Sequence, residues 1–217
     1  MAVYKYRPID LDGPAVRLLR LIRGNLTDDI QCDVFEGWLN QLEGGIPYEA
    51  LSYTWGSTEK AAKITVSGST MHVTENLYVA LQNLRFKDED RILWIDAICI
   101  DQDNKQERRH QVQHMSYIYK EAEQVIVWLG QGNEESNLIM DFMKRLHEYI
   151  VKVEGDWRRL AQFSISLSPE HVTIRENARR REGMELLLRR PWFRRIWILQ
   201  EIANARVATV LCGRKSI

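Results

Sequence analysis

The sequence lacks the features that mark membrane, secreted or strongly charged proteins. No apolar run approaches the ~18 residues of a membrane-spanning helix, and the first residues lack the apolar core of a signal peptide. Its 30 Lys and Arg residues balance 30 Asp and Glu residues, so no global charge attracts nucleic acid or anionic membranes. We therefore expect a cytoplasmic protein that binds neither, unless a local patch such as the arginine-rich stretch 175–195 does so.

Cysteine is scarce, with three residues at wide spacing. Cys99 and Cys212 lie inside apolar runs, and Cys32 leaves the number odd. This pattern predicts buried thiols in a reducing compartment rather than a disulfide framework.

Phosphate-binding and metal-binding motifs are also missing or incomplete. No P-loop occurs, and Glu135 stands where the turn that begins at Gly130 and Gly132 would need its third glycine. His110 and His114 have a spacing compatible with zinc but lack the glutamate of the H-E-x-x-H motif. We therefore predict no metal and no dinucleotide fingerprint.

Strand and helix patterns alternate along the chain. We predict hairpins over 16–35 and 64–73, a helix capped by Thr74, a buried strand over 93–100, a helix capped by Asn104, a buried strand over 125–129, a helix capped by Ser136, a helix that contains Trp197, and a strand over 207–211. Residues 154–174 show no clean period and predict a surface excursion. The alternation favours a right-handed, doubly wound sheet.

The ends of the predicted strands carry small and polar residues. In an open α/β sheet, ligands bind outside the carboxyl ends of the strands, where the strand order reverses. The candidate binding residues selected by this rule are Tyr53, Trp55, Gly56, Ser57, Asp96 and Asp101.

Asp96 interrupts an apolar run, where an unpaired carboxylate is costly. Three explanations of this position are open, and the first is that the carboxylate accepts hydrogen bonds from loop N–H groups or pairs with a cation. The second is contact with a ribose hydroxyl, and the third is a magnesium ion shared with Asp101. The missing phosphate-binding lysine or glycine loop disfavours magnesium.

Trp197 and Glu201 are four residues apart on the last predicted helix and therefore share a face. Arg194 is nearly two turns from Glu201, so the glutamate is predicted to lack a neutralising neighbour on its own helix. An indole beside a free carboxylate suits a cationic ring and a developing positive charge. The alternative is a surface glutamate above a core tryptophan.

Several ordered segments resemble the fungal heterokaryon incompatibility (HET) domain. They are residues 48–56 (YEALSYTWG), 93–102 (LWIDAICIDQ), 113–119, 122–130 and 190–201. The resemblance implies an N-terminal β-hairpin lead-in over 1–47 and a HET domain over 48–217 with a variable excursion near 154–190, together one domain of a larger protein. It also implies a cytosolic module for non-self recognition, which triggers cell death when unlike fungal cells fuse.

The HET domain is regarded as a distant relative of Toll/interleukin receptor (TIR) domains. That kinship implies a flavodoxin-like, TIR-like, doubly wound and mainly parallel sheet, with helices on both faces and added N-terminal β-hairpins. Some TIR domains hydrolyse NAD through a helix-borne glutamate. Residues 52–56 are similar to the TIR first-strand loop and residues 197–201 to the glutamate helix, although Ile198 stands where many TIR domains have cysteine.

Two functions follow from the resemblance. The first is an NAD glycohydrolase that needs no cofactor or metal, with NAD as substrate. Glu201 is then catalytic, Trp55 and Trp197 are aromatic walls, and Asp96 or Asp101 positions hydroxyls. The second is a non-catalytic signalling module that works by self-association or by binding an unknown regulatory protein.

Overall fold

The computed structural model describes residues 1–39, 45–152 and 174–217, which form an α/β protein with nine strands and six α-helices. The strands are β1 (Ala15–Leu21), β2 (Gln31–Trp38), β3 (Glu49–Tyr53), β4 (Ala62–Val66), β5 (Ser69–Val73), β6 (Arg91–Trp94), β7 (Val125–Trp128), β8 (Ala208–Cys212) and β9 (Lys215–Ser216). The α-helices are α1 (Glu75–Leu84), α2 (Asp96–Cys99), α3 (Lys105–Glu121), α4 (Glu134–Lys152), α5 (Ile174–Leu188) and α6 (Ile198–Ala203). A 3₁₀ turn occupies Pro191–Arg194.

The chain folds as two compact units. The first unit is Met1–Trp128 with Arg195–Thr209, and the second unit is Leu129–Arg194 with Val210–Ile217. Most of the predicted excursion over 154–174 lies outside the described residues. The division into a lead-in over 1–47 and a domain over 48–217 stays a prediction.

The sheet of the first unit is mixed, in the order β5-β4-β2-β1-β6-β3-β7. Strands β3, β6 and β7 run parallel, as do β2 and β4. Strand β1 is antiparallel to both β2 and β6, and β4 is antiparallel to β5. The expectation of a mainly parallel sheet is therefore wrong. The physical reason is that β1 joins the parallel core directly, so the N-terminal hairpin extends the sheet.

Both predicted hairpins are confirmed. Strands β1 and β2 pair from Ala15 opposite Trp38 to Leu21 opposite Cys32. Strands β4 and β5 pair through a two-residue turn, which is the loop length that best suits the twist of a hairpin. The three cysteines are buried free thiols, as the sequence predicts.

The predicted buried strand over 93–100 is wrong beyond Trp94. The chain turns into α2, where the amide of Cys99 donates to the carbonyl of Ile95 at 2.7 Å. The carboxylate of Asp96 accepts from the amide of Ala97 at 2.7 Å and supports the first turn. A short apolar run cannot distinguish a buried strand from a buried helical turn by its periodicity alone.

The predicted caps of α1 and α3 are confirmed. Thr74 Oγ1 accepts from the amide of Leu77, and Asn104 Oδ1 accepts from the amides of Gln106 and Glu107. The carboxylate of Glu107 does not complete a capping box with Asn104; it binds Arg17 and accepts from the amide of Asp101 at 2.7 Å.

The second unit packs α4 against α5. Gly183 permits this approach, because a Cβ there would lie 2.7 Å from the carbonyl oxygen of Glu135. At the start of α4, the amide of Ser136 donates to Asn133 Oδ1, and the amide of Asn133 donates to Ser136 Oγ, both at 2.8 Å. The cap is therefore Asn133 with Ser136 as its partner, rather than Ser136 alone.

A buried ion pair links three elements of the first unit. Arg17 on β1 pairs with Glu107 on α3, and their side chains are 4% and 2% exposed. The Arg17 guanidinium also donates to the carbonyl of Cys99 at 3.1 Å and to the carbonyl of Arg7 at 2.5 Å. An ion pair and hydrogen bonds within the protein therefore compensate these two buried charges.

We predict that Arg17→Ala lowers the free energy of unfolding by about 3–5 kcal/mol, because it leaves Glu107 charged and buried. The double variant Arg17→Met/Glu107→Leu should lose much less unfolding free energy than the single variants Arg17→Met and Glu107→Leu lose together. Urea denaturation followed by circular dichroism measures both effects. The matched control is Arg20→Ala on the same strand, since the Arg20–Asp33 pair is solvent-exposed and its loss should hardly change the midpoint. Additive losses in the double variant would contradict the prediction.

Candidate functional site

The candidate site lies at the carboxyl ends of β3 and β6. Strand β3 lies between β6 and β7, and the chain passes from β3 through α1 to β6 and then through α3 to β7. These two crossovers run in opposite directions across the sheet, so right-handed connections put α1 and α3 on opposite faces. This is the arrangement in which open α/β sheets form a ligand crevice.

Trp55 and Asp96, which follow β3 and β6, meet at this edge. Trp55 Nε1 donates to Asp96 Oδ2 at 2.9 Å, and the indole is 40% exposed. The adjacent Gly56 has φ of +77°, a backbone conformation that L side chains rarely adopt. Asp96 thus accepts hydrogen bonds from its own helical turn and from the neighbouring loop, which is the first of the three explanations given for it.

Burial raises the pKa of Asp96 to about 6. The hydrogen bonds from Trp55 and from the amide of Ala97 act in the opposite direction, as does the charge of Arg195, whereas the charge of Glu201 raises the pKa further. The carboxyl group of Asp96 is therefore half protonated near pH 6.

Glu201 is fully buried and ion-paired. Arg195 Nη2 donates to Glu201 Oε1 at 2.7 Å, and Arg195 Nη1 donates to Glu201 Oε2 at 3.1 Å. Ser52 Oγ on β3 donates to the same Oε2. The expected free carboxylate is therefore wrong. Arg195 precedes α6 instead of lying on it, so the spacing rules of a helix do not limit its reach.

Ser52, Asp96, Arg195 and Glu201, which we call the carboxylate cluster, are flanked by two buried tyrosines. Burial raises the pKa of both Tyr53 and Tyr119, and the charge of Asp96 adds to the increase in each. Tyr119 donates to the carbonyl of Leu51 at 3.2 Å. Tyr53 is 1% exposed, and its hydroxyl has no hydrogen-bond partner among the described residues. That hydroxyl is therefore a buried polar group left without a hydrogen bond inside the described part of the chain.

The other predicted residues lie apart from these hydrogen bonds. Trp197 is 45% exposed, in contrast to the buried Glu201, and its carbonyl accepts from the amide of Glu201 at 3.1 Å. Ser57 Oγ accepts from the amide of Glu59 at 3.1 Å. Asp101 Oδ1 accepts from the amide of Asp103 at 3.1 Å. The binding roles of all three remain predictions.

Sequence reasoning missed the partners of Glu201. Ser52 offered a signal, because a polar side chain inside the buried run of β3 needs a partner. Arg195 belongs to one of the segments on which the resemblance rests, but its pairing depends on the turn before α6, which periodicity does not reveal. Within the described part of the chain, no three His, Cys, Asp or Glu side chains converge as a metal site would require.

We predict that Asp96 titrates near pH 6 in the native protein and that Trp55→Phe raises this midpoint by removing the indole donor. The native pKa exceeds the reference value of 3.8, so the unfolding free energy should fall as pH rises from about 4 to about 6 and then level off. Carboxyl ¹³C NMR measures the midpoint, and urea denaturation across this range measures the stability. The control is Asp96→Asn, which should show neither the titration near pH 6 nor the fall of stability between about pH 4 and about pH 6. A midpoint near 4 in the wild type would contradict the prediction.

Comparison with known proteins places the chain in a family. Residues 48–201 match the family described as heterokaryon incompatibility protein (HET). The chain is 30% identical over 247 aligned residues to "Heterokaryon incompatibility protein 6, OR allele" of Neurospora crassa, an alignment that covers 99% of this chain and 36% of that protein. No solved structure matches. None of the described helices has the length and apolarity needed to span a bilayer. The chain belongs to the heterokaryon incompatibility (HET) family.

Proposed function

We propose that this chain is a cytoplasmic fungal domain that acts in non-self recognition and triggers cell death after unlike cells fuse. Support comes from its family and from the relative in Neurospora crassa, whose name states heterokaryon incompatibility. The chain spans about a third of the length of that relative, so the action of a whole protein, including a regulatory partner, is part of the proposal.

We further propose a TIR-like, flavodoxin-like core built on β3, β6 and β7. Three adjacent parallel strands joined by crossovers that contain α1 and α3 support this kinship. Strands β1, β2, β4 and β5 then extend that core on one side, and β1 and β5 run antiparallel to it.

The activity that the geometry supports best is hydrolysis of NAD to nicotinamide and ADP-ribose. The observation that carries it is the convergence of the carboxylate cluster with Trp55 at the crevice of the sheet. Two carboxylates beside an exposed indole and an unpaired buried hydroxyl suit a ligand that has a cationic ring and ribose hydroxyls.

The reaction needs little acid catalysis, because the nicotinamide of NAD is already cationic. The bond between ribose C1′ and the ring nitrogen breaks, and its electron pair neutralises that nitrogen. Water then adds to C1′ and loses a proton, as in glycoside cleavage. Glu201 stabilises the positive ribose, Asp96 and Tyr53 bind hydroxyls, and Trp55 contacts the ring.

Catalysis by Glu201 requires a rearrangement of its partners. The carboxylate is fully buried and held by Arg195 and Ser52, so a substrate reaches it only after the Arg195 side chain moves. The described conformation then corresponds to a resting state, and an activating event such as assembly would release the glutamate.

A second candidate function, self-association without catalysis, is favoured by an exposed apolar patch. Ile196, Trp197 and Leu199 are 79%, 45% and 70% exposed and adjoin one another at the start of α6. Clustered exposed apolar side chains often mark protein–protein contacts, and tryptophan is a frequent anchor in them.

We predict that purified protein releases nicotinamide from NAD and that Glu201→Gln reduces the rate at least about 100-fold, because the amide carries no charge to stabilise the ribose cation. Chromatographic measurement of nicotinamide, with a fused oligomerisation domain to force assembly, gives the rate.

The matched control for this assay is Glu121→Gln, which removes a carboxylate that pairs with Arg206 at the surface. It should retain the wild-type rate. Absence of release from the assembled wild type, or equal release from Glu201→Gln, would discard the catalytic proposal.

We predict that self-association depends on the apolar patch. Ile196→Asp/Leu199→Asp should shift multi-angle light scattering at high concentration towards the monomer mass, because two charges at an interface core must be desolvated. The control is Leu26→Asp, at an exposed apolar residue between β1 and β2. A wild type that stays monomeric at all concentrations would remove this proposal and leave the catalytic one open.

A further inference from the structure

A cavity of about 740 Å³ lies in the first unit. The residues that line it are distinct from those of the carboxylate cluster. Residues 2–9, which we call the N-terminal strap, form one wall, and β1, β2 and the β4–β5 hairpin contribute the others. Its volume falls within the roughly 300–1,000 Å³ of small-molecule sites.

The N-terminal strap is fixed to the fold by hydrogen bonds along its length. The amide of Tyr4 donates to the carbonyl of Thr70 at 2.9 Å, and the amide of Thr70 donates to the carbonyl of Ala2 at 2.8 Å. The hydroxyl of Tyr6 donates to the carbonyl of Ile98 at 2.9 Å. The cavity is therefore bounded by structure that the fold itself holds in place.

The charged groups of the cavity are predominantly cationic. Lys5, Arg7 and Arg17 contribute three cations, and Glu36 contributes one carboxylate. Arg17 is already bound to Glu107 and to two backbone carbonyls. Lys5 and Arg7 are exposed and have no ion-pair partner among the described residues, so they are the cations free to bind an anion.

The remaining lining combines apolar and hydroxyl groups. Val34 and Phe35 of β2 and Tyr4 of the N-terminal strap supply apolar and aromatic surface, while Ser67 and Ser69 supply hydroxyls. An apolar wall with a few convergent polar groups is typical of sites for small organic ligands.

We propose that this cavity binds a small organic anion that has an aromatic or apolar body. The anionic group pairs with Lys5 and Arg7, and the body contacts Tyr4 and Val34. Most of the lining precedes residue 48, where the family match begins. Ser67 and Ser69 lie inside the matched region, and none of the lining residues belongs to the carboxylate cluster, so the site is independent of NAD hydrolysis.

The test uses 8-anilinonaphthalene-1-sulfonate, followed by fluorescence titration, and its uncharged analogue N-phenyl-1-naphthylamine. We expect Lys5→Ala/Arg7→Ala to weaken binding of the sulfonate about tenfold and to leave binding of the neutral analogue unchanged, since only the charge pairing is removed. Affinity for the sulfonate should also fall with added salt in the wild type and much less in the double variant.

The matched control is Lys60→Ala/Lys87→Ala, which makes the same change of charge at exposed lysines outside the cavity. It should bind the sulfonate as the wild type does. Ser69→Trp, which fills the cavity, should abolish binding of both probes, with near-UV circular dichroism confirming the fold. Equal sulfonate affinities of the cavity double variant and its control, in folded protein, would overturn the proposal.

Discussion

The buried pair of Arg17 and Glu107 is the interaction on which most of the first unit depends. A buried charge must be compensated inside the protein, and these two residues bind backbone groups of three other segments. Arg17 binds the carbonyl of Cys99 at the end of α2 and that of Arg7 in the N-terminal strap. Glu107 binds the amide of Asp101 at the approach to α3. The pair therefore fixes the turn that begins at Asp96, and with it one side of the candidate site.

The same constraint explains Glu201. The carboxylate is buried because α6 packs against α3 beside the sheet, and Arg195 and Ser52 compensate its charge. Removing either partner would leave an incompletely satisfied anion, so the cluster has a structural role whether or not it is catalytic. In the proposed hydrolase, this role conflicts with substrate access, because the group that must face the ribose also holds α6 to β3. Functional sites commonly carry such a conflict between stability and activity.

Elements with local signals could be predicted from the sequence, and those that depend on distant partners could not. The hairpins and the helix after Thr74 follow from short-range pattern and capping, and the structure has both. The turn of α2 was not predicted because Ile98 and Cys99 continue a short apolar run, whose periodicity is the same for a buried strand and a buried helical turn. At the site, the rule that ligands bind at strand ends selected Trp55 and Asp96, which the structure joins by a hydrogen bond. The bond from Arg195 to Glu201 could not be predicted, because it depends on the turn before α6 and periodicity does not reveal that turn.

The two candidate functions differ in what they require of Arg195. This residue binds Glu201 and directly precedes Ile196 and Trp197, which belong to the exposed apolar patch. A protein surface docked on that patch would contact the segment that carries the guanidinium, and a shift of this segment would remove the cation from the carboxylate. A ligand or partner shifts a conformational equilibrium only by the difference between its binding free energies for the two states. If the patch binds its partner fully only after Arg195 has moved, the partner has the higher affinity for that conformation and stabilises it. Self-association would then release Glu201, and self-association and catalysis would be successive steps of one proposed function.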